Sequence, residues 1–225
     1  MLYDPNRNFI FIHIWKTGGK SVFEALRKNC PFYFSNRYLN KAIRLAPGVS
    51  NTAFGWRARL VNGQHFRAVD IKRNMPERRF ETAFKFAFVR NPWDWQVSNY
   101  HYALESKTHG QHDIISSLGS FDAYIRFQHA QKAPTQSSFL VDENGDLLVD
   151  FVGRFERLQD DFNYVCDTVG LDAALSHLNT SKRRSDWRSY YTEETRELVA
   201  DLCRPDIERF DYQWIPAATD INVTG

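Results

Sequence analysis

The feature that most constrains this chain is the run Phe-Ile-Phe-Ile-His-Ile at residues 9 to 14, followed at once by Trp-Lys-Thr-Gly-Gly-Lys-Ser. A near-continuous apolar run rich in β-branched and aromatic side chains has the pattern of a strand covered on both faces, as in a parallel sheet. Val22, Phe23, Leu26 and Cys30 then recur at helical spacing until Pro31 ends the run, so the segment reads strand, loop, helix. Such a loop gathers backbone N–H groups, the hydroxyls of Thr17 and Ser21 and the ammonium groups of Lys16 and Lys20 around one point. A helix N-terminus already favours an anion, so the chemistry is that of a phosphate cradle. A plain Gly-Gly turn between strand and helix is the competing reading. The loop is not a complete Walker A sequence, because G-x-x-x-x-G-K-[ST] ending at Gly19-Lys20-Ser21 requires glycine where Ile14 stands.

Phe84 to Val89 is the second strong strand, and it runs into Arg90-Asn91-Pro92. Asn91 suits an N-cap and Pro92 the first helical position. Trp93, Val97, Tyr100 and Leu104 then fall on one helix face, with Ser98 beside it. NTPases of the P-loop type place an aspartate at such a strand end to hold Mg²⁺, whereas here the strand ends in Arg90. A guanidinium at residue 90 and a hydroxyl at residue 98 can share a second phosphate. Pairing of Arg90 with Asp94 at the helix start is the alternative.

The remaining segments frame these two. Residues 32 to 63 read as loops with turns at Pro47-Gly48 and Asn62-Gly63, and a second short strand or its exit is expected around Gln64 to Val69. A brief helical segment ended by Pro76 follows. A helix is expected from Ser120 to about His129, and a hairpin over Ser138 to Phe155 around Asn144-Gly145. Leu158, Phe162, Val165 and Val169 form an amphipathic helix closed by Gly170, and Thr192 caps a last helix before a frayed tail. At 225 residues the chain is expected to be a single domain over 1–225 with an ordered core from about 8 to 215.

Composition excludes several classes. An apolar share of 43% with 18 Phe, 10 Tyr and 6 Trp fills a core and argues against a disordered chain. Cys30, Cys166 and Cys203 are distant, odd in number and set in apolar helical patterns, so they read as reduced core residues rather than a disulfide or zinc framework. No run of about 18 apolar residues exists, so no membrane span is expected, and the early start of the first strand leaves no room for a signal peptide. The expected compartment is cytoplasmic. The net charge of +2 says nothing about partners, but no acidic residue lies between Glu24 and Asp70 while eight basic ones do. That stretch is either a positive face or a surface whose charges other segments balance.

Phe-Ile-His-Ile-Trp-Lys-Thr-Gly-Gly-Lys-Ser and Phe-Ala-Phe-Val-Arg-Asn-Pro-Trp-Asp resemble the two donor-binding motifs of sulfotransferases that use 3′-phosphoadenosine 5′-phosphosulfate (PAPS), the group of carbohydrate sulfotransferases and their bacterial relatives. The resemblance runs from Phe9 to about Tyr212 and includes Gln64-His65, the Gly-Arg-Phe-Glu that ends the expected hairpin, and Tyr190-Tyr191. It implies an α/β, three-layer sandwich with a central, mainly parallel sheet, the P-loop-NTPase-like sulfotransferase fold. It also implies that Lys16, Thr17, Gly18, Gly19, Lys20 and Ser21 bind the 5′-phosphosulfate and that Arg90 and Ser98 bind the 3′-phosphate. Arg183, in the basic loop Lys182 to Arg184, lies near the donor nucleotide by the same resemblance, and a solvated basic loop is its alternative. The loop departs from the family's usual form at Trp15, where proline is common, and at Lys20, where threonine is common.

His65 stands where this family carries its general base, and an imidazole with a pKa near 6.5 suits removal of an acceptor proton. His13 reads instead as a core histidine on the buried strand, and His101 as a residue beside Ser98. Glu156 reads either as an ion-pair partner or as a group that orients an arginine or the acceptor. The implied reaction is in-line transfer of a sulfuryl group from PAPS to a hydroxyl or amine of an acceptor, a carbohydrate first of all, with adenosine 3′,5′-bisphosphate as product. No metal is expected, because the transferred group has one charge less than a phosphoryl group. No nucleic acid partner is expected, and the oligomeric state is not legible. A P-loop kinase and a non-catalytic polyanion-binding protein are the readings from other classes.

Overall fold

The computed structural model describes residues 1–28, 65–175 and 186–215. Cys30, Pro31, the turns Pro47-Gly48 and Asn62-Gly63, Gln64, Arg183 with its neighbours Lys182 and Arg184, and most of the basic stretch lie outside the described residues. In chain order the described helices are α1 (Gly19–Arg27), α2 (Ala68–Asn74), α3 (Glu77–Thr82), α4 (Pro92–Glu105), α5 (His112–Ser117), α6 (Phe121–Ala130), α7 (Leu158–Val169), α8 (Glu193–Leu202) and α9 (Arg204–Phe210). The residues fall into two compact units, one within Met1–Val89 and Ser138–Leu178, the other within Arg90–Ser137 and Asn179–Gly225.

The first unit is built on a four-stranded sheet in the order β1 (Leu2–Asp4), β2 (Phe9–Ile12), β3 (Phe84–Val89), β4 (Phe151–Arg154). β1 is antiparallel to β2, and β2, β3 and β4 run parallel, with Phe9 opposite Phe84 and Val89 opposite Arg154. The two inner strands are the two apolar runs of the sequence, and burial on both faces accounts for their lack of alternation. Phe9, Phe11, Phe86 and Phe88 share one core with Val22, Ala25 and Leu26 of α1 and Leu158, Phe162 and Val165 of α7. Residues of opposite parity point to the other face. There Tyr3 Oη accepts from Arg79 Nη1 at 3.1 Å, and Lys85 Nζ lies 5.4 Å from the centre of the Phe80 ring. Both Arg79 and Phe80 belong to α3, so helices cover the sheet from both sides, as an α/β three-layer arrangement requires.

Three expectations change here. β1 precedes Phe9, where the first strand-like run was placed, and Asp4 closes it by accepting from the amides of Asn6 and Arg7 at 2.8 and 3.3 Å. Residues 65 to 67 are not a strand, and α2 begins directly at Ala68. Pro76 ends that helix as expected, with Met75 extended before it, and also stands at the N-cap of α3. The hairpin contracts to a single Val141–Leu147 bridge with Leu148 N–H donating to the Leu140 carbonyl at 2.8 Å. The chain then joins the sheet as β4, guided by Asp150: its amide donates to the Lys85 carbonyl at 2.8 Å, and its Oδ2 accepts from the Lys85 amide at 2.7 Å.

In the second unit Trp93, Val97 and Ala103 of α4 pack with Ile115, Phe121, Tyr124, Ile125, Val199 and Cys203. Tyr100 and Leu104 lie against this core, which completes the expected apolar face. Asn91 caps α4 by accepting from the Trp93 and Asp94 amides at 3.1 and 3.3 Å, and Ser120 caps α6. Thr192 and Thr195 form a reciprocal capping box at α8. Where a frayed tail was expected, α9 follows and buries Asp206 and Phe210. Among the described residues Cys166 and Cys203 are buried free thiols, and no helix is long and apolar enough to cross a membrane.

Candidate active site

β2 ends at Ile12 and α1 begins at Gly19, so His13 to Gly18 form the loop. Lys16 (φ 62°) and Gly18 (φ 80°) are both left-handed, and these two residues reverse the chain from strand to helix. Thr17 is buried and its hydroxyl donates to the Ile14 carbonyl at 2.9 Å, which makes it first of all a brace of the loop's shape. The Gly18 carbonyl takes the amides of Ser21 and Val22 at 3.0 and 3.3 Å. The amides of Gly19 and Lys20 head the helix and have no partner one turn earlier, the kind of helix terminus that favours negative charge. Lys20 is exposed, Lys16 and Ser21 are half-buried, and neither the Lys20 ammonium nor the Ser21 hydroxyl has a side-chain partner among the described residues. Gly19 is required by contact: a Cβ there would lie 2.1 Å from His13 Cδ2.

His65 meets this loop from the segment before α2. Its Nδ1 is 2.8 Å from the His13 carbonyl oxygen. A carbonyl only accepts, so the Nδ1 carries the proton and the lone pair of the neutral ring is on Nε2. The His65 ring lies 4.6 Å from that of His13 and edge-on to Trp15 at 5.6 Å, and Trp15 in turn meets Phe139 edge-on at 4.8 Å. His65 is exposed by area, yet the groups packed round its ring desolvate it and push its pKa below the ordinary 6.5, a shift that the hydrogen bond to His13 partly offsets.

His13 corrects the reading of a core histidine. It stands one residue beyond the strand, half-buried, stacked on Phe11 at 5.6 Å and against His65. Burial, then the neighbouring His65, push its pKa well down, so it is a neutral imidazole at the rim of the loop. The alternation that turns Phe9 and Phe11 towards α1 carries His13 to the same side, and that was the signal available in the sequence.

In the second unit Arg90 is buried and its Nε and Nη2 both lie 2.6 Å from Asp94 Oδ2, so the alternative pairing is realised. Asp94 and Ser98 are one turn apart, which sets Arg90, Asp94 and Ser98 along one flank. Ser98 is buried, 5% exposed, and its hydroxyl has no hydrogen-bond partner among the described residues. His101 is held by Tyr190, Nε2 to Oη 2.8 Å, and Tyr191 Oη donates to the Trp93 carbonyl at 2.8 Å. Glu156 lies exposed in the 3₁₀ turn Phe155–Arg157 of the first unit. Among the described residues no three His, Cys, Asp or Glu side chains stand together as metal ligands.

Residues 1–213 match the model of the sulfotransferase family. A comparison with curated proteins finds no match. With nearly the whole chain covered, and with an α/β sheet whose first parallel strand empties into a glycine loop at a helix N-terminus, this chain belongs to the sulfotransferase family, a family of PAPS-dependent enzymes.

Proposed function

We propose that this sulfotransferase moves the sulfuryl group of PAPS to a hydroxyl or amine of an acceptor, a glycan in the first place, with His65 as general base. The observation that carries the reading is the tautomer of His65: its Nδ1–H is tied to the His13 carbonyl beside the loop, which leaves Nε2 to take a proton. Burial keeps that ring neutral near pH 7, the form a base needs. Bound PAPS supplies an electrophilic sulfur and a phosphate leaving group.

The loop residues hold the 5′-phosphosulfate: the Gly19 and Lys20 amides and the Ser21 hydroxyl donate to it, and Thr17 and Gly18 hold the loop's shape. Lys16 neutralises charge on the leaving 5′-phosphate oxygen, and Lys20 supplies a second positive charge at the loop. Arg90 and Ser98 take the 3′-phosphate, and the unpartnered buried Ser98 hydroxyl is the group such an oxygen would complete. The Asp94 carboxylate beside them is matched by Arg90, which holds the guanidinium in place. Arg183 belongs to the same donor reading. Lysines and amides suffice for a sulfuryl group, so turnover is expected to survive a chelator.

A thermal-shift comparison of adenosine 3′,5′-bisphosphate with ATP tests the donor class. Stronger stabilisation by the bisphosphate is expected, and stronger stabilisation by ATP overturns the reading in favour of a kinase. Binding of anionic glycans with no response to either nucleotide overturns it in favour of a polyanion-binding protein. Lys16→Ala is expected to lower kcat by at least about 10²-fold, the scale of one positioned electrostatic group.

A further inference from the structure

We infer that Gln136, held in turn by Asp206, is a positioning residue for Arg90 and sets the affinity for the donor's 3′-phosphate. This rests on the reading of Arg90 as a ligand of that group. β3 ends at Val89, and beyond it both backbone polar groups of Arg90 are taken by one side chain. Arg90 N–H donates to Gln136 Oε1 at 2.8 Å, and Gln136 Nε2 donates to the Arg90 carbonyl at 2.8 Å. The amide of Gln136 thus acts as a one-residue strand neighbour at the point where the chain leaves the sheet.

Gln136 is itself fixed. Its backbone amide donates to Asp206 Oδ2 at 2.8 Å and the Ser137 amide to Oδ1 at 2.6 Å, so both carboxylate oxygens are used. Gln136 and Asp206 are both 0% exposed. Burying an amide and a carboxylate is unfavourable unless each polar atom is paired, and a simple packing contact is made more readily by an apolar side chain. Here the two side-chain bonds of Gln136 both end on the backbone of one arginine, and the two of Asp206 hold the backbone of Gln136 and Ser137. A pinned backbone fixes where the Arg90 side chain starts, and Asp94 fixes where it ends. The guanidinium is therefore preorganised, and a ligand does not have to order it.

The test compares adenosine 3′,5′-bisphosphate with adenosine 5′-monophosphate, which lacks only the 3′-phosphate, by titration calorimetry on the full chain. Gln136→Glu keeps the acceptor for the Arg90 amide but sets an oxygen against the Arg90 carbonyl. It is expected to weaken the bisphosphate by about tenfold, the effect of one lost hydrogen bond, and to leave the monophosphate within about twofold. Asp206→Asn, which retains shape and one acceptor, is expected to shift the same ratio in the same direction and stands in if the first variant does not fold. Equal weakening of both nucleotides assigns the pair a structural role only and overturns the inference. Retained discrimination in Gln136→Glu, with discrimination lost in Arg90→Ala, overturns it while the reading of Arg90 stands. If the unmodified chain binds both nucleotides equally, the reading of Arg90 fails and the inference fails with it.

Discussion

His65 gives one ring nitrogen to a brace and offers the other to chemistry, and a single substitution separates the two roles. Asparagine at this position retains an N–H able to reach the His13 carbonyl but has no lone pair suited to take a proton. His65→Asn is expected to lose at least about 10²-fold in kcat while keeping its affinity for adenosine 3′,5′-bisphosphate, measured by steady-state kinetics beside calorimetry. Near-normal turnover would remove the base. Gly19 makes a second residue-scale case, because the His13 ring occupies the place of its missing Cβ and is itself held between Phe11 and His65. Gly19→Ala is expected to destabilise the chain by about 1–3 kcal/mol through overpacking, and His13→Ala in the same chain should restore part of it, read from urea melts. Lys16 and Ser21 sit in one short string between strand and helix, so their shared place at the loop was legible in the sequence, whereas His65 was singled out only by the family resemblance. The place of His13 was not legible, since it comes from two rings, Phe11 and His65, and a glycine that the fold brings together around it.

Elements with local signals follow from the sequence. Asn91, Ser120, Thr192 and Gly170 all cap the helices assigned to them, because a cap is a bond between near neighbours in the chain. The Thr192–Thr195 box is reciprocal, so Thr192→Ala is expected to cost about 1 kcal/mol of stability, seen as a lower urea midpoint with unchanged slope. β4 shows the opposite case. Phe-Val-Gly-Arg at 151 to 154 has no alternation to announce a strand, and the Asn144-Gly145 turn carries the signal of a hairpin. What makes it a strand is pairing with β3, about 65 residues away in sequence, where Lys85 and Asp150 exchange two hydrogen bonds. Gly153 belongs there for a tertiary reason as well: a Cβ would come within 2.5 Å of the Phe88 ring.

At the scale of the whole molecule, His13 and His65 couple folding to pH. Both have pKa values pushed below the ordinary 6.5 by burial, so between those values and 6.5 the unfolded chain binds more protons than the folded one. Stability is therefore full above pH 6.5 and falls as the pH drops below it. The urea midpoint is expected to be lower at pH 5.5 than at pH 7.5, with a smaller drop in His65→Asn, and a midpoint unchanged over that span would contradict the coupling. The two buried strands, the glycine loop at a helix start, the arginine at the second strand end and the helix caps were determined by the sequence alone, because each rests on residues within a turn or two of one another. The tertiary structure decided what depends on partners distant in the chain: the strand order, the place of β4, the His13–His65 pair and the hold of Gln136 on the Arg90 backbone. Periodicity records only whether a residue is covered, and the identity of the covering group enters when the chain has closed on itself.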